Sequence, residues 1–182
     1  MDKTFVSKGG IKLQEALDKF KVDVNGKVAL DVGSSTGGFV DCLLKNGALK
    51  IYSVDTSYGE LAWKLRNNDK VVVMERTNIL HLDSLPEQVD LITIDAGWTK
   101  LELVLPVVKK FLKDNGTIIA LLKPQYETDK SNLKKGIVKK EAVEGVRKKV
   151  VQNLENSGFK VKDCIQSPIK GGGGNMEYLA LF

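Results

Sequence analysis

Short apolar runs alternate along this chain with stretches whose apolar residues recur at helical spacing. Ile11, Leu13, Ala16, Leu17 and Phe20 form such a stripe and predict a helix that stops near Asn25-Gly26. Val28-Ala-Leu-Asp-Val32 reads as a first strand, followed by a helix from Gly37 to Asn46 closed by Gly47. Ile51 to Asp55 predicts a second strand, 60 to about 67 a helix, Val71 to Met74 a third strand and Leu91 to Asp95 a fourth. A helix is expected from Leu101 to Lys113, bent or restarted at Pro106, and then a fifth strand from Thr117 to Leu122. A polar, lysine-rich connection over 125–140 leads to a long helix from Glu141 to about Asn156. Phe159 to Gln166 and Met176 to Phe182 read as the last strands. They are joined by Ser167-Pro-Ile-Lys-Gly-Gly-Gly-Gly174, a loop able to move and to let a ligand approach its backbone. Alternating strands and helices specify an α/β fold with a mostly parallel sheet covered on both faces. With 182 residues and neither repeat nor linker, the whole of 1–182 is expected to be one domain.

Composition narrows the function classes. At 42% hydrophobic residues the chain can bury one sizeable core, yet no apolar run is long enough to span a bilayer. The start, Met1-Asp-Lys-Thr-Phe5, lacks the pattern of a secretory signal, so a cytoplasmic protein with no membrane partner is expected. Cys42 and Cys164 are too far apart in sequence to suggest a disulfide framework or a metal knuckle, and no metal is expected. The net charge of +5 is unevenly spread: from Lys123 to Lys170 there are 12 Lys/Arg against 6 Asp/Glu, whereas the remainder is near neutral. A basic stretch of this kind suits one face meeting a polyanion. Lys130, Lys134, Lys135, Lys139, Lys140, Arg147 and Lys148 are the candidate RNA-binding residues.

The segment Asp31-Val-Gly-Ser-Ser-Thr-Gly-Gly-Phe39 joins the first strand to the next helix, where open parallel sheets bind nucleotides. Gly33 permits a tight turn, while Gly37 and Gly38 would let a ligand come close to the backbone. Asp31, Gly33, Ser34, Ser35, Thr36, Gly37, Gly38 and Phe39 are therefore candidate cofactor-binding residues. The spacing is neither that of the dinucleotide fingerprint nor, lacking a following lysine, that of a P-loop. Asp55 ends the second strand at the separation from which an acid takes ribose hydroxyls, which suits a nucleoside without a phosphate tail such as S-adenosylmethionine. The same turn satisfies G-x-S-x-G, which would make Ser35 a hydrolase nucleophile with Asp55 and His81. Against that, a hydrolase elbow normally follows several strands, and here it follows the first.

Several blocks carry a more specific signal. They are Ser7-Lys-Gly-Gly-Ile-Lys-Leu13, Asp31 to Phe39, Leu61-Ala-Trp-Lys-Leu-Arg66, Glu75-Arg-Thr-Asn78, Leu122-Lys-Pro-Gln125, Ser167 to Lys170 and Gly174-Asn-Met-Glu177. Together they resemble the FtsJ-like RNA ribose methyltransferases, most closely the haemolysin A (TlyA) branch, over nearly the whole chain. The resemblance implies a Rossmann-like, seven-stranded methyltransferase sheet with an antiparallel last strand. It also implies S-adenosylmethionine as methyl donor, leaving S-adenosylhomocysteine, and ribosomal RNA or ribosomal subunits as the partner. The implied Lys-Asp-Lys-Glu set falls on Lys12, Asp95, Lys123 and Glu177. Asn78 stands where the wider family more often has an aspartate facing the adenine; an Asn oxygen can still accept its amino hydrogen. Asp95-Ala-Gly-Trp-Thr departs from the branch pattern Asp-Val-Ser-Phe-Ile and puts Trp98 beside the cofactor pocket. The branch usually carries an N-terminal S4-type RNA-binding domain, and this chain starts at about the methyltransferase boundary, so a separate recognition domain or partner is expected.

The chemistry asks for these residues. A ribose hydroxyl is a weak nucleophile and must lose or share a proton as it attacks an already activated methyl. A charged lysine cannot be the base; burial and a second ammonium favour the neutral form, and a carboxylate favours the charged one. The expectation is Lys123 as base, Asp95 orienting it, and Lys12 with Glu177 holding the ribose. Two further classes remain open to the sequence: a haemolysin-type membrane-active protein, which the absence of a long amphipathic apolar helix disfavours, and a non-catalytic cofactor- or RNA-binding protein, which the intact set of four disfavours.

Overall fold

The computed structural model describes residues 4–97 and 99–182. In chain order the elements are α1 (Gly9–Phe20), β1 (Val28–Val32), α2 (Gly38–Lys45), β2 (Lys50–Val54), α3 (Trp63–Arg66), β3 (Val71–Met74), β4 (Val89–Ile94) and α4 (Leu101–Lys109). There follow β5 (Leu112–Leu122), α5 (Pro124–Glu127), β6 (Leu133–Lys134), β7 (Ile137–Val138), α6 (Val143–Asn156), β8 (Asp163–Gln166) and β9 (Tyr178–Leu181). Seven strands form one sheet in the order β3-β2-β1-β4-β5-β9-β8, and β6 pairs with β7 as a separate hairpin. Strands β1 to β5 are parallel, while β9 runs antiparallel to both β5 and β8.

Period-two alternation divides the core between the two faces of the sheet. Ala29, Ile51, Leu91 and Ile119 point to the side covered by Leu13, Leu17, Phe39, Leu43 and Leu65 of α1, α2 and α3. Leu30, Val32, Ile92, Ile94 and Ala120 point to the side covered by Val104, Leu105 and Val108 of α4 and Val146, Val150 and Leu154 of α6. All five residues of β1 are buried, as a central strand covered on both faces requires. From β1 the chain winds outward to β2 and β3, then returns to β4 on the other side. The carboxyl ends of β1 and β4 therefore flank the switch point of the sheet, where such folds open a crevice.

Several elements differ from the sequence reading. α1 ends at Phe20 rather than near Asn25-Gly26, because Lys21 turns left-handed (φ 55°) and Val22 N–H closes back on Leu17 O at 3.0 Å. α3 is a single turn, and Ala62 N–H donates to Thr36 O at 3.1 Å, tying its start to the glycine turn. α4 passes through Pro106 and stops at Lys109, short of Lys113. β5 starts earlier than expected, at Leu112, with a register shift against β4 between Val89 and Leu91. The last two strands are shorter than expected, beginning at Asp163 and Tyr178. The lysine-rich connection is not irregular throughout: it contains α5, a 3₁₀ turn at Lys130–Asn132 and the β6–β7 hairpin.

Candidate active site

The end of β1 is tied to both of its neighbours. Gly33 N–H donates to Val54 O at 2.9 Å, and Asp95 N–H to Val32 O at 2.8 Å. Gly33 adopts φ 83°, and a Cβ there would lie 2.6 Å from the Asp95 carbonyl oxygen, so only glycine lets β1 and β4 end side by side. Two cavities open from this turn. The larger, about 410 Å³, is lined by Gly33, Ser35, Asp55, Asn78, Asp95 and Lys123, among others. The smaller, about 230 Å³, is lined by Lys12, Ser34, Ser35, Thr36, Gly38, Phe39 and Asp95, and by Ser7-Lys8-Gly9 leading into α1. Gly33, Ser35 and Asp95 border both.

The four charged residues come together as two ion pairs. Lys12 Nζ lies 2.5 Å from Glu177 Oε2, with both side chains almost wholly buried. Lys123 Nζ lies 2.6 Å from Asp95 Oδ1, with side chains 15% and 24% exposed. The first pair brings α1 against the start of β9; the second bridges the carboxyl ends of β5 and β4. Glu177 borders neither cavity directly and reaches the site through Lys12.

Asp31 lies beneath the turn, fully buried in β1. Its Oδ1 accepts from Thr93 Oγ1 at 2.6 Å, and its Oδ2 has no hydrogen-bond partner among the described residues. Burial pushes this carboxyl up to about 7. The Thr93 and Ser34 side chains oppose the rise, and the charges of Asp95 and Asp55 add to it. Asp55 is more occupied than the sequence reading allowed: Oδ2 accepts Ser35 N–H at 2.7 Å, and Oδ1 accepts Ser57 N–H at 2.8 Å and Ser57 Oγ at 2.7 Å. Oδ2 still has capacity for a further donor, while Oδ1 already accepts two. Asn78 borders the larger cavity while its Oδ1 caps a 3₁₀ turn by accepting Leu80 N–H at 3.0 Å.

Other candidates lie away from the two cavities or outside the described residues. Gly37 borders neither cavity; its backbone is left-handed at φ 95°, and its missing Cβ makes room for the Leu61 and Leu65 side chains. Asp31 supports the turn from below instead of lining it. Trp98 lies outside the described residues. Ser35 has a left-handed backbone (φ 46°), but its N–H faces Asp55, and His81 is exposed on the Ile79–His81 turn. Among the described residues no hydrogen bond joins His81 to Ser35 or Asp55, so the hydrolase triad is not assembled. Of the basic candidates, Lys130, Lys134, Lys135, Lys139, Lys140 and Lys148 are exposed. Arg147 is engaged within the protein: its guanidinium grips Glu144 at 2.5 and 2.9 Å and lies 5.6 Å from the centre of the Tyr178 ring.

Sequence reasoning missed Thr56, Thr77, Ile79, Ala96 and Thr99 in the larger cavity and Ser7, Lys8 and Gly9 in the smaller. Thr56 and Ala96 lie two residues beyond the ends of β2 and β4, a position that could have marked them. Ser7 and the glycines after it precede the first apolar stripe, the signature of a helix start.

Residues 5–182 match the FtsJ-like methyltransferase family. The chain belongs to that family. It is 44% identical over 180 residues to the Bacillus subtilis protein YqxC, covering 96% of this chain and 64% of the relative. To the 16S/23S rRNA (cytidine-2′-O)-methyltransferase TlyA of Mycobacterium tuberculosis it is 36% identical, covering 97% of this chain and 68% of TlyA. A solved structure from Streptococcus thermophilus bearing a hemolysin name superposes with a TM-score of 0.93 at 38% identity, over 100% of this chain and 67% of that one. The chain thus spans about two thirds of the length of these relatives. Among the described residues no helix is long and apolar enough to cross a membrane.

Proposed function

We propose that this chain transfers a methyl group from S-adenosylmethionine to a ribose 2′-hydroxyl of ribosomal RNA. The observation that carries the reading is the convergence of the Lys12–Glu177 and Lys123–Asp95 pairs on cavities that share Asp95 and the Gly33 turn. Membership of the FtsJ-like family and the rRNA 2′-O-methyltransferase name of the mycobacterial relative support it.

The residues present fit the cofactor. A 410 Å³ cleft at a sheet switch point is of the size that holds a nucleoside ligand. Its acid, Asp55, suits ribose hydroxyls, and Asn78 with Ile79 suits the face and edge of an adenine. When bound, S-adenosylmethionine supplies a methyl group already activated by its sulfonium. The protein's own task is then confined to the acceptor oxygen. Lys123 takes the hydroxyl proton, having first given up its own; Asp95 fixes its Nζ beside the larger cavity and stabilises the ammonium that results. Lys12, held by Glu177, donates hydrogen bonds to the ribose from the smaller cavity. The exposed lysines at 130, 134, 135, 139, 140 and 148 contact the phosphate backbone, which supplies affinity without sequence information. The part of the relatives that this chain does not span leaves room for a separate RNA-recognition domain or partner.

The test is to incubate the protein with radiolabelled S-adenosylmethionine and unmodified ribosomal subunits and to map the label. Incorporation at a ribose 2′ position is expected. Label on a base, or cofactor binding with no transfer to either subunit, would overturn the reading; release of dye from liposomes would favour the membrane-active alternative.

A further inference from the structure

The β6–β7 hairpin is too small to stand by itself: two residues pair on each side across the Lys135-Gly136 turn, both left-handed at φ 52° and 79°. What anchors its turn is a side chain nearly forty residues away. Asn175, 4% exposed, accepts Val138 N–H on Oδ1 at 3.0 Å and donates from Nδ2 to Gly136 O at 3.1 Å. Its own carbonyl accepts Gly171 N–H at 2.9 Å. Gly171 in turn lies so close to the Glu177 carboxylate that a Cβ there would overlap Oε1. The Glu177 carbonyl is held from the other side by Ser167 N–H at 2.9 Å. One continuous set of contacts therefore runs from the exposed lysines of the hairpin, through a buried amide, to the carboxylate that holds Lys12.

We propose that Asn175 is a positioning residue that couples the Lys134–Lys135 hairpin to Glu177, so that RNA phosphates on the hairpin set the geometry of the Lys12–Glu177 pair. The inference rests on the RNA reading above and adds to it a route by which substrate engagement completes the site. The amide is suited to the task because it supplies one acceptor and one donor to adjacent groups of the turn. An aspartate would face the Gly136 carbonyl with a second acceptor, and an alanine would leave the buried Val138 N–H and the Gly136 carbonyl without this partner.

A mere anchor and a coupling element differ in which kinetic constant the lysines control. The experiment measures methyl transfer to unmodified ribosomal subunits, at saturating and limiting RNA, for the wild type, Lys134→Ala/Lys135→Ala, Asn175→Ala and the triple variant. For the lysine pair, kcat is expected to fall about tenfold in addition to any rise in KM, as a small misplacement of a site group would cause. In the Asn175→Ala background the same two substitutions are expected to change kcat less than about twofold, the non-additivity of groups acting through one contact. Lysine substitutions that alter KM alone, or equal kcat losses in both backgrounds, overturn the coupling while leaving the methyltransferase reading intact. No transfer by the wild type overturns both. Should Asn175→Ala fail to fold, the lysine pair, which is exposed, decides alone through its kcat-against-KM split.

Discussion

Lys12 and Glu177 are 165 positions apart in sequence, yet their charges meet at 2.5 Å in a place from which water is nearly excluded. The contact ties the first helix to the residue just before the last strand. Buried pairs of this kind are costly to break on one side, because the surviving charge is left unpaired. Glu177→Ala is expected to lose about 3 kcal/mol in urea unfolding, whereas Lys12→Met with Glu177→Leu recovers most of that loss. The double variant remains inactive if the pair serves the ribose. A double variant as unstable as Glu177→Ala would place the strain elsewhere.

Lys123 lines the larger cavity and pairs with Asp95, which borders both cavities, and the base assignment makes a kinetic demand of it. Lys123→Ala and Lys123→Met, the second keeping most of the apolar stem, should both slow transfer at saturating RNA and cofactor by about a hundredfold or more. Single-turnover rates check this. Full activity in the methionine variant would remove Lys123 as the base.

Asp31 gives the fold a pH dependence of unusual sign. Its carboxyl is held up to about 7 from an ordinary value of 3.8, chiefly by burial. Between those values the folded protein keeps a proton that the unfolded chain has lost, so this group makes stability fall as pH rises. The slope is at most about 1.4 kcal/mol per pH unit, levelling off above the folded value. Other carboxylates slope the opposite way, Glu75 and Asp90 being held below their ordinary range. The measurement is therefore a difference: the stability of Asp31→Asn relative to wild type should increase from pH 5 to pH 8. An unchanged difference would mean that Asp31 ionises normally.

Much of the frame was legible in the sequence where an element is decided locally. Val28–Val32 and Val71–Met74 fold as read, since each is an apolar run bounded by turn residues. The end of α1 was not, because Lys21 rather than a glycine takes the left-handed position. Nor was the β6–β7 hairpin, whose turn is anchored by Asn175 from a distant loop. The Gly33 turn announced itself through its glycine spacing, but the partners of Asp55 and the packing role of Gly37 depend on neighbours that no local pattern reveals. The four charged residues were found through resemblance alone, for nothing in composition or periodicity links Lys12 to Glu177.

The glycine loop offers a matched pair of substitutions. A Cβ at Gly171 would overlap the Glu177 carboxylate, whereas one at Gly172 meets nothing within 4 Å. Gly171→Ala should therefore displace Glu177 and slow transfer by about tenfold or more, with Gly172→Ala within about twofold of wild type. Similar losses in both would point to loop flexibility rather than to the close approach.

The basic surface separates in the same manner, into charges that are free to meet phosphate and one that is not. Lys140 is exposed just after the hairpin, so removing it should lower RNA affinity and reduce the slope of log affinity against log salt by about one. Arg147 is held by Glu144 and rests on Tyr178, next to the start of β9. Its replacement by alanine exposes the tyrosine ring and leaves Glu144 without its bidentate partner, a change in packing more than in surface potential. The salt slope of Arg147→Ala should stay at the wild-type value while its melting temperature drops. A reduced slope in that variant would show that the guanidinium leaves Glu144 for the RNA, and would return Arg147 to the binding surface.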